Sequence, residues 1–260
     1  MVIRMERKFL IIPEFEQIQQ TMELARQYDL GFEYNDFCYP KVYGDETEVL
    51  RRCEVYRQLD RDRSGDTLHG VFLDMAVTSQ DPAIRQYSRK RVEQSMEIAD
   101  RLGVRGVVFH TGLIGELQTD SYLKPWLEES EKFWHIMALR YPGIDIYMEN
   151  TFEKSPDILL KLCERMSDAK NFKLCFDYGH ACLTPLSVDS WAGKMGMHAG
   201  HIHLNDNDNK ADLHQVPGEG KLDFGKCKRL LETYFPGRPV LLELTGIEAQ
   251  KKALEYMRNL

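Results

Sequence analysis

Four side chains able to bind a cation each follow a short apolar run: Glu149 after residues 144–148, Asp177 after 172–176, His203 after 200–202 and Glu243 after 240–242. A carboxylate inside such a run is costly to bury unless it is paired or holds a metal. Taken singly, Glu149 and Glu243 can be salt-bridge partners or strand-end caps, and Asp177 a helix cap. Taken together, three carboxylates and one imidazole make a donor set for a divalent ion. Parallel barrel strands end on one rim, so residues this far apart in sequence can meet there.

Further candidates surround this set. In Asp177-Tyr178-Gly179-His180 the glycine permits a sharp turn, so Asp177 and His180 can face the same rim. His201-Ile202-His203 alternates, which puts both rings on one strand face. His203, nearer the strand's end, is the expected ligand, and His201 is expected to pack and hydrogen-bond in a lower layer. A polar stretch over 205–214, followed by Pro217-Gly218-Glu219-Gly220, suits an ordered active-site loop. Within it Asp212 and His214, joined by His180, offer two nitrogens and a carboxylate for a second metal, a set that suits zinc. His180 and His214 can equally bind substrate hydroxyls. His110 and Asn150 also fall at strand ends and are expected to meet substrate or orient ligands; Glu33 and Asp74 are expected to orient ligands. His69 is read as starting its strand, away from the rim.

These residues need a scaffold that alternates strands with helices. Apolar runs predict strands over 8–12, 31–35, 68–74, 105–110, 144–149, 172–177, 200–205 and 238–244. Amphipathic stretches predict helices over 14–28, 45–59, 81–102, 120–140, 155–169, 187–194, 223–234 and 247–258. This alternation predicts a single (β/α)8 TIM barrel domain over 1–260, with the active site at the C-terminal rim of the strands. Asp81-Pro82 and Ser155-Pro156 each place a capping residue before a helix-starting proline, and Gly103 and Gly143 suit left-handed C-terminal caps. A doubly wound sheet would need a glycine-rich turn after the first strand, where Pro13-Glu14-Phe15 stands.

Bulk properties narrow the function classes. A net charge of −7 gives no general attraction to phosphate backbones or anionic membranes, so neither nucleic acid nor membrane is an expected partner. The 6 cysteines contain no CxxC pair, which favours reduced thiols over a disulfide framework. No run approaches the roughly 20 apolar residues needed to cross a bilayer, and the apolar stretch near the start is too brief for a signal peptide. A cytoplasmic location is the expectation. Nothing in the sequence marks an oligomeric state.

The motifs Val108-Phe109-His110-Thr111-Gly112, Met148-Glu149-Asn150, Asp177-Tyr178-Gly179-His180, His203-Leu204-Asn205-Asp206 and the stretch 212–220 resemble the xylose-isomerase-like barrel superfamily. More narrowly, they resemble its sugar phosphate isomerase/epimerase branch. The resemblance runs from about residue 68 onward. Similarity to its ketose 3-epimerases implies one manganese, cobalt or magnesium ion held by Glu149, Asp177, His203 and Glu243. It implies Glu149 and Glu243 as catalytic acid and base, working through a metal-stabilised enediolate of a small sugar or polyol, with His180 touching substrate. Those epimerases carry an arginine where this chain has Asn209. The superfamily also holds zinc-dependent endonucleases that cut DNA at abasic sites. That resemblance implies ligands to three zincs at His110, Glu149, Asp177, His180, His203, Asp212, His214 and Glu243, with one more histidine at the end of the third strand. None occurs near residues 76–79, so the first zinc is expected to lack a ligand. Such a phosphodiesterase, and a metal- and sugar-binding barrel without turnover, are the alternatives to an isomerase.

Overall fold

The structure, a computed structural model, describes residues 7–260. Its strands are β1 (Phe9–Ile11), β2 (Gly31–Tyr34), β3 (Thr67–His69), β4 (Gly106–His110), β5 (Asp145–Glu149), β6 (Phe172–Asp177), β7 (Ala199–Leu204) and β8 (Val240–Leu242). All are parallel, each pairs with the next, and β8 returns to β1 to close the barrel. The long helices Pro82–Leu102 and Asp120–Arg140 match expectation to within a residue, and shorter ones fill the other crossovers.

Period-two alternation divides each strand between two environments. Ile146 and Met148, Leu174 and Phe176, Ile202 and Leu204, and Val240 and Leu242 join the large core that the helices cover. The residues between them face inward. Small clusters of Leu10, Ile12 and Leu241, and of Val108, Tyr147 and Cys175, fill the lower interior. Two residues further along the same strand faces come His110, Glu149, Asp177, His203 and Glu243. The sequence pattern that builds the barrel therefore also aims these groups at its mouth. Register reinforces the meeting, because His110 lies opposite Glu149 and Asp177 opposite His203.

The third strand departs most from expectation. It ends at His69 rather than running over 68–74, so His69 finishes β3 beside the rim instead of starting it below. Gly70 follows so close to Phe109 that a Cβ there would stand 2.2 Å from the ring. The chain then turns away through Asp74, whose φ is 58°. The apolar residues Val71, Phe72 and Leu73, which suggest a longer strand, lie in that connection.

Two cap expectations also change. Asp81 caps its helix by accepting from the Ala83 and Ile84 amides, and Gly103 adopts the left-handed cap at φ 69°. By contrast, the helix expected at 155 begins at Asp157, with Pro156 as its N-cap and no capping hydrogen bond from a side chain. Gly143 is not a C-cap, because the helix before it ends at Arg140 and Tyr141 takes that position. A short helix, Tyr178–Cys182, follows β6, with Asp177 as its N-cap accepting from the His180 amide. The cysteines are all free thiols, and no helix among the described residues is long and apolar enough to cross a membrane.

Candidate metal centre

One donor atom from each of Glu149, Asp177, His203 and Glu243 falls within 4.8 Å of the others. His203 Nδ1 lies 3.3 Å from Glu149 Oε1 and 3.3 Å from Glu243 Oε2. All four residues are buried, and Glu149, Asp177 and His203 are fully so. The set expected from the sequence is thus brought together at the end of β5, β6, β7 and β8.

Two further sets flank it. His180 and His214 face one another across Asp212, whose Oδ2 is 3.2 Å from one Nε2 and 3.1 Å from the other. On the opposite side, Glu149 Oε2 lies 3.3 Å from His110 Nε2 and 3.6 Å from His69 Nε2. His69 therefore supplies the third-strand histidine that residues 76–79 lack. The expectation of an underligated first zinc is overturned: the donor is present, seven residues before that stretch. The shortness of β3 explains the miss. Glu149 belongs to both the central and the His69 set, one oxygen towards each.

The ring nitrogens test whether these groups suit a cation. His180 Nδ1 lies 2.9 Å from the Asn150 carbonyl, His214 Nδ1 lies 3.1 Å from the Glu243 carbonyl, and His69 Nδ1 lies 2.9 Å from the Gly70 carbonyl. A carbonyl only accepts, so each Nδ1 carries hydrogen. In the neutral ring, each Nε2 then directs a lone pair at a carboxylate oxygen, an arrangement that needs a proton or a metal between the two. Within the central set, both Glu149 oxygens, Glu243 Oε2 and His203 Nδ1 are buried without a hydrogen-bond partner among the described residues. Buried donors that are this close and unsatisfied fit a divalent ion.

Electrostatics point the same way. Burial pushes the Asp177 carboxyl up to about 7, against the pull of His180. Burial also opposes charge on Glu149, yet His203 and His110 hold its carboxyl well below the ordinary range. His180 and His203 are both raised well above the usual imidazole value: desolvation works against their charge, and Asp177 for the one, Cys175 and Glu33 for the other, outweigh it. His214 rises to about 9, with burial opposed by Asp212 and Glu243. Without an ion, protons on imidazoles balance the acids; metal binding would release them.

Other expected residues serve as supports. Asn150, expected to meet substrate or orient ligands, spans β5 and β6 and holds the backbone of Asp177: its Nδ2 donates to the Asp177 carbonyl at 3.0 Å and its Oδ1 accepts from the Asp177 amide at 2.9 Å. The backbone of Asp177 thus occupies both ends of that side chain. His201 packs one layer down as expected, stacked on Tyr147 and 2.9 Å from Glu33. Asp206, one polar residue among many in the sequence, organises the loop carrying Asp212 and His214. Fully buried, it accepts from the Gly218 and Gly220 amides at 2.9 Å each, from Leu222 at 3.0 Å and from Asn207 at 2.8 Å. Its partners lie up to 16 residues ahead, so no local motif announces it.

Glu243 of the central set, with His69, His110 and the His180–Asp212–His214 set, lines a cavity of about 420 Å³, and Glu149, Asp177 and His203 lie buried beneath it. Ile12, Leu213, Val216 and Leu244 line it as well, and among the described residues no lysine or arginine does.

Comparison with known proteins agrees with this architecture. The protein MJ1311 of Methanocaldococcus jannaschii, described as uncharacterized, is 27% identical over 203 residues, covering 74% of this chain and 68% of its own. A structure of a D-tagatose 3-epimerase-like protein superposes with a TM-score of 0.78 at 22% identity, covering 97% of this chain and 96% of that one. The TTHB071 protein from Thermus thermophilus, soaked with ZnCl2, gives a TM-score of 0.76 at 22% identity over 97% and 96% of the two chains. The 3-keto-D-glucoside 4-epimerase YcjR of E. coli gives 0.72 at 16% identity over 98% and 100%. At these identities the likenesses establish the fold. The family description of the xylose isomerase-like TIM barrel matches residues 21–260, and with its closed barrel and inward strand ends the chain belongs to that family.

Proposed function

We propose that the protein is a divalent-metal-dependent isomerase or epimerase acting on a small open-chain sugar or polyol. The observation that carries this reading is the entry of two buried glutamates, Glu149 and Glu243, into one donor set from different strands, with Glu243 lining a cavity sized for a small molecule. Manganese, cobalt, magnesium or zinc fits the mixed carboxylate–imidazole set. When bound, such an ion supplies Lewis acidity worth several kcal/mol towards removing a proton beside a carbonyl. One glutamate takes that proton and the other returns one, to another carbon or another face. Proton transfer by a positioned carboxylate is worth about 10²–10⁴-fold. His110, His180 and His214 stand where substrate hydroxyls would meet donors. A lining without lysine or arginine among the described residues suits an uncharged polyol better than a polyanion. The D-tagatose 3-epimerase-like and 3-keto-D-glucoside 4-epimerase structures support the same reaction class by fold. The test is incubation of the Mn²⁺-loaded protein with a ketose panel in D₂O. Deuterium should enter at least one sugar; no exchange across a broad panel sinks the proposal. Stabilisation by a sugar without exchange would point to a binding barrel without turnover.

A second reading has its own support in His69. With His110 and Glu149 on one side and His180, Asp212 and His214 on the other, the chain has donors for three ions around one cavity. Adjacent ions suit the attacking and leaving oxygens of a phosphoester. Three tightly held zincs, with cleavage of bis(p-nitrophenyl) phosphate or of abasic duplex DNA, would favour a phosphodiesterase over the isomerase.

A further inference from the structure

We infer that Glu33 is the positioning residue for His203, holding the ring so that Nδ1 is the nitrogen presented to the cage. Glu33 enters the barrel from β2, one layer below the central set, and is fully buried. Its Oε2 accepts the Thr67 hydroxyl at 2.6 Å and faces His201 Nε2 at 2.9 Å. Its Oε1 stands 3.1 Å from His203 Nε2, within hydrogen-bond distance but off the bond line, and both atoms lack any hydrogen-bond partner. The two unsatisfied atoms therefore face each other within hydrogen-bond reach. The Cys175 thiol also contacts His203 but is a weak acceptor. A carboxylate only accepts, so a ring anchored to it carries hydrogen on Nε2 and keeps the Nδ1 lone pair towards Glu149 and Glu243. Thr67 and His201 fix Glu33 in turn, which makes the anchor part of the barrel and not of a mobile loop. The inference rests on the central set holding an ion, not on the reaction performed there.

Glu33→Gln preserves shape but turns one oxygen into a donor. Facing its remaining oxygen to Thr67 and His201 satisfies two donors and sets an NH₂ against His203 Nε2, which favours the ring form that closes Nδ1. Loss of an outer carboxylate of this kind typically lowers metal affinity about 10–100-fold. Cadmium is the probe, because its own magnetic resonance separates sites. Titration of the full chain should show Cd²⁺ affinity at the His203 site reduced within that range, with the signal from the His180–Asp212–His214 set unchanged. Affinity within threefold of the parent, or equal loss at every site, overturns the inference. Should Glu33→Gln fail to fold, the Cd²⁺-loaded parent still decides: proton–nitrogen correlation should show a solvent-protected His203 Nε2–H and cadmium coupling to Nδ1. Cadmium coupling to Nε2, or an ion bound between Glu33, His201 and His203, overturns it.

Discussion

Asp206 offers the sharpest test of how the fold positions the site. Four backbone amides donate to its buried carboxylate, two to each oxygen, and they come from both ends of the loop that carries Asp212 and His214. Asp206→Asn keeps the shape, but one side must present NH₂ to two N–H groups. Two of the four bonds are lost whichever way the amide turns. A hydrogen bond to a charged group contributes roughly 1.5–3 kcal/mol, so the expected loss is about 3–6 kcal/mol. Gly220 cannot move in to compensate, since its Cα already lies against Asp206 with no space for a Cβ. Denaturant unfolding of parent and variant measures the cost, and hydrogen exchange at Gly218, Gly220 and Leu222 locates it. Metal titration should show weakened binding at the His180–Asp212–His214 set with the central set retained. A cost below about 1 kcal/mol with those amides still protected would refute the reasoning.

Further outcomes follow from the same geometry. Mn²⁺ at about 100 times its Kd should stabilise the protein by about 2.7 kcal/mol, raising Tm by roughly 5–10 °C. Glu149→Gln should abolish most of that rise, because Glu149 contributes to two donor sets; an undiminished shift in calorimetry would contradict this. Gly70→Ala should destabilise by about 1–3 kcal/mol through overpacking against Phe109 and displace the end of β3, lowering metal uptake beside His69; parental stability and uptake would argue against the close approach. At the far end of the barrel, burial opposes charge on Asp145, but Lys173 and Arg105 outweigh it and depress its carboxyl. A depressed carboxyl stabilises above its unfolded pKa and loses that contribution as pH falls through the folded value. Asp145→Asn should therefore lower Tm at neutral pH, with the gap to the parent closing in acid; a gap independent of pH would show the pairing to be inert.

Much of this arrangement is legible in the sequence because burial and chemistry share one period. An acid two residues beyond an inward apolar or aromatic residue, as Glu149 is beyond Tyr147 and Glu243 beyond Leu241, must point to the mouth if the run is a barrel strand. The central set and the Asp212–His214 loop are readable on that basis. His69 is not, because Val71, Phe72 and Leu73 extend the apolar run past the true strand end, which lies at His69, just before Gly70 packs against Phe109. Asn150 is readable only in part: its place beside Glu149 suggests a substrate contact or a ligand-orienting group, and alternation turns it onto β6, where it holds the Asp177 backbone. Asp206 depends on amides 12–16 residues away, a distance over which no local pattern carries a signal; Glu33 is readable as a ligand-orienting group at a strand end, but its partners, 168–170 residues away, are not.

The central claim is that Glu149, Asp177, His203 and Glu243 hold a cation in common. Crystals grown with Mn²⁺ and measured at the manganese absorption edge test it directly. The account predicts an anomalous peak bonded to donor atoms of all four residues, with His203 contributing Nδ1. A metal-replete crystal with no peak there, or with Glu149 and Glu243 turned away from a common ion, would contradict it.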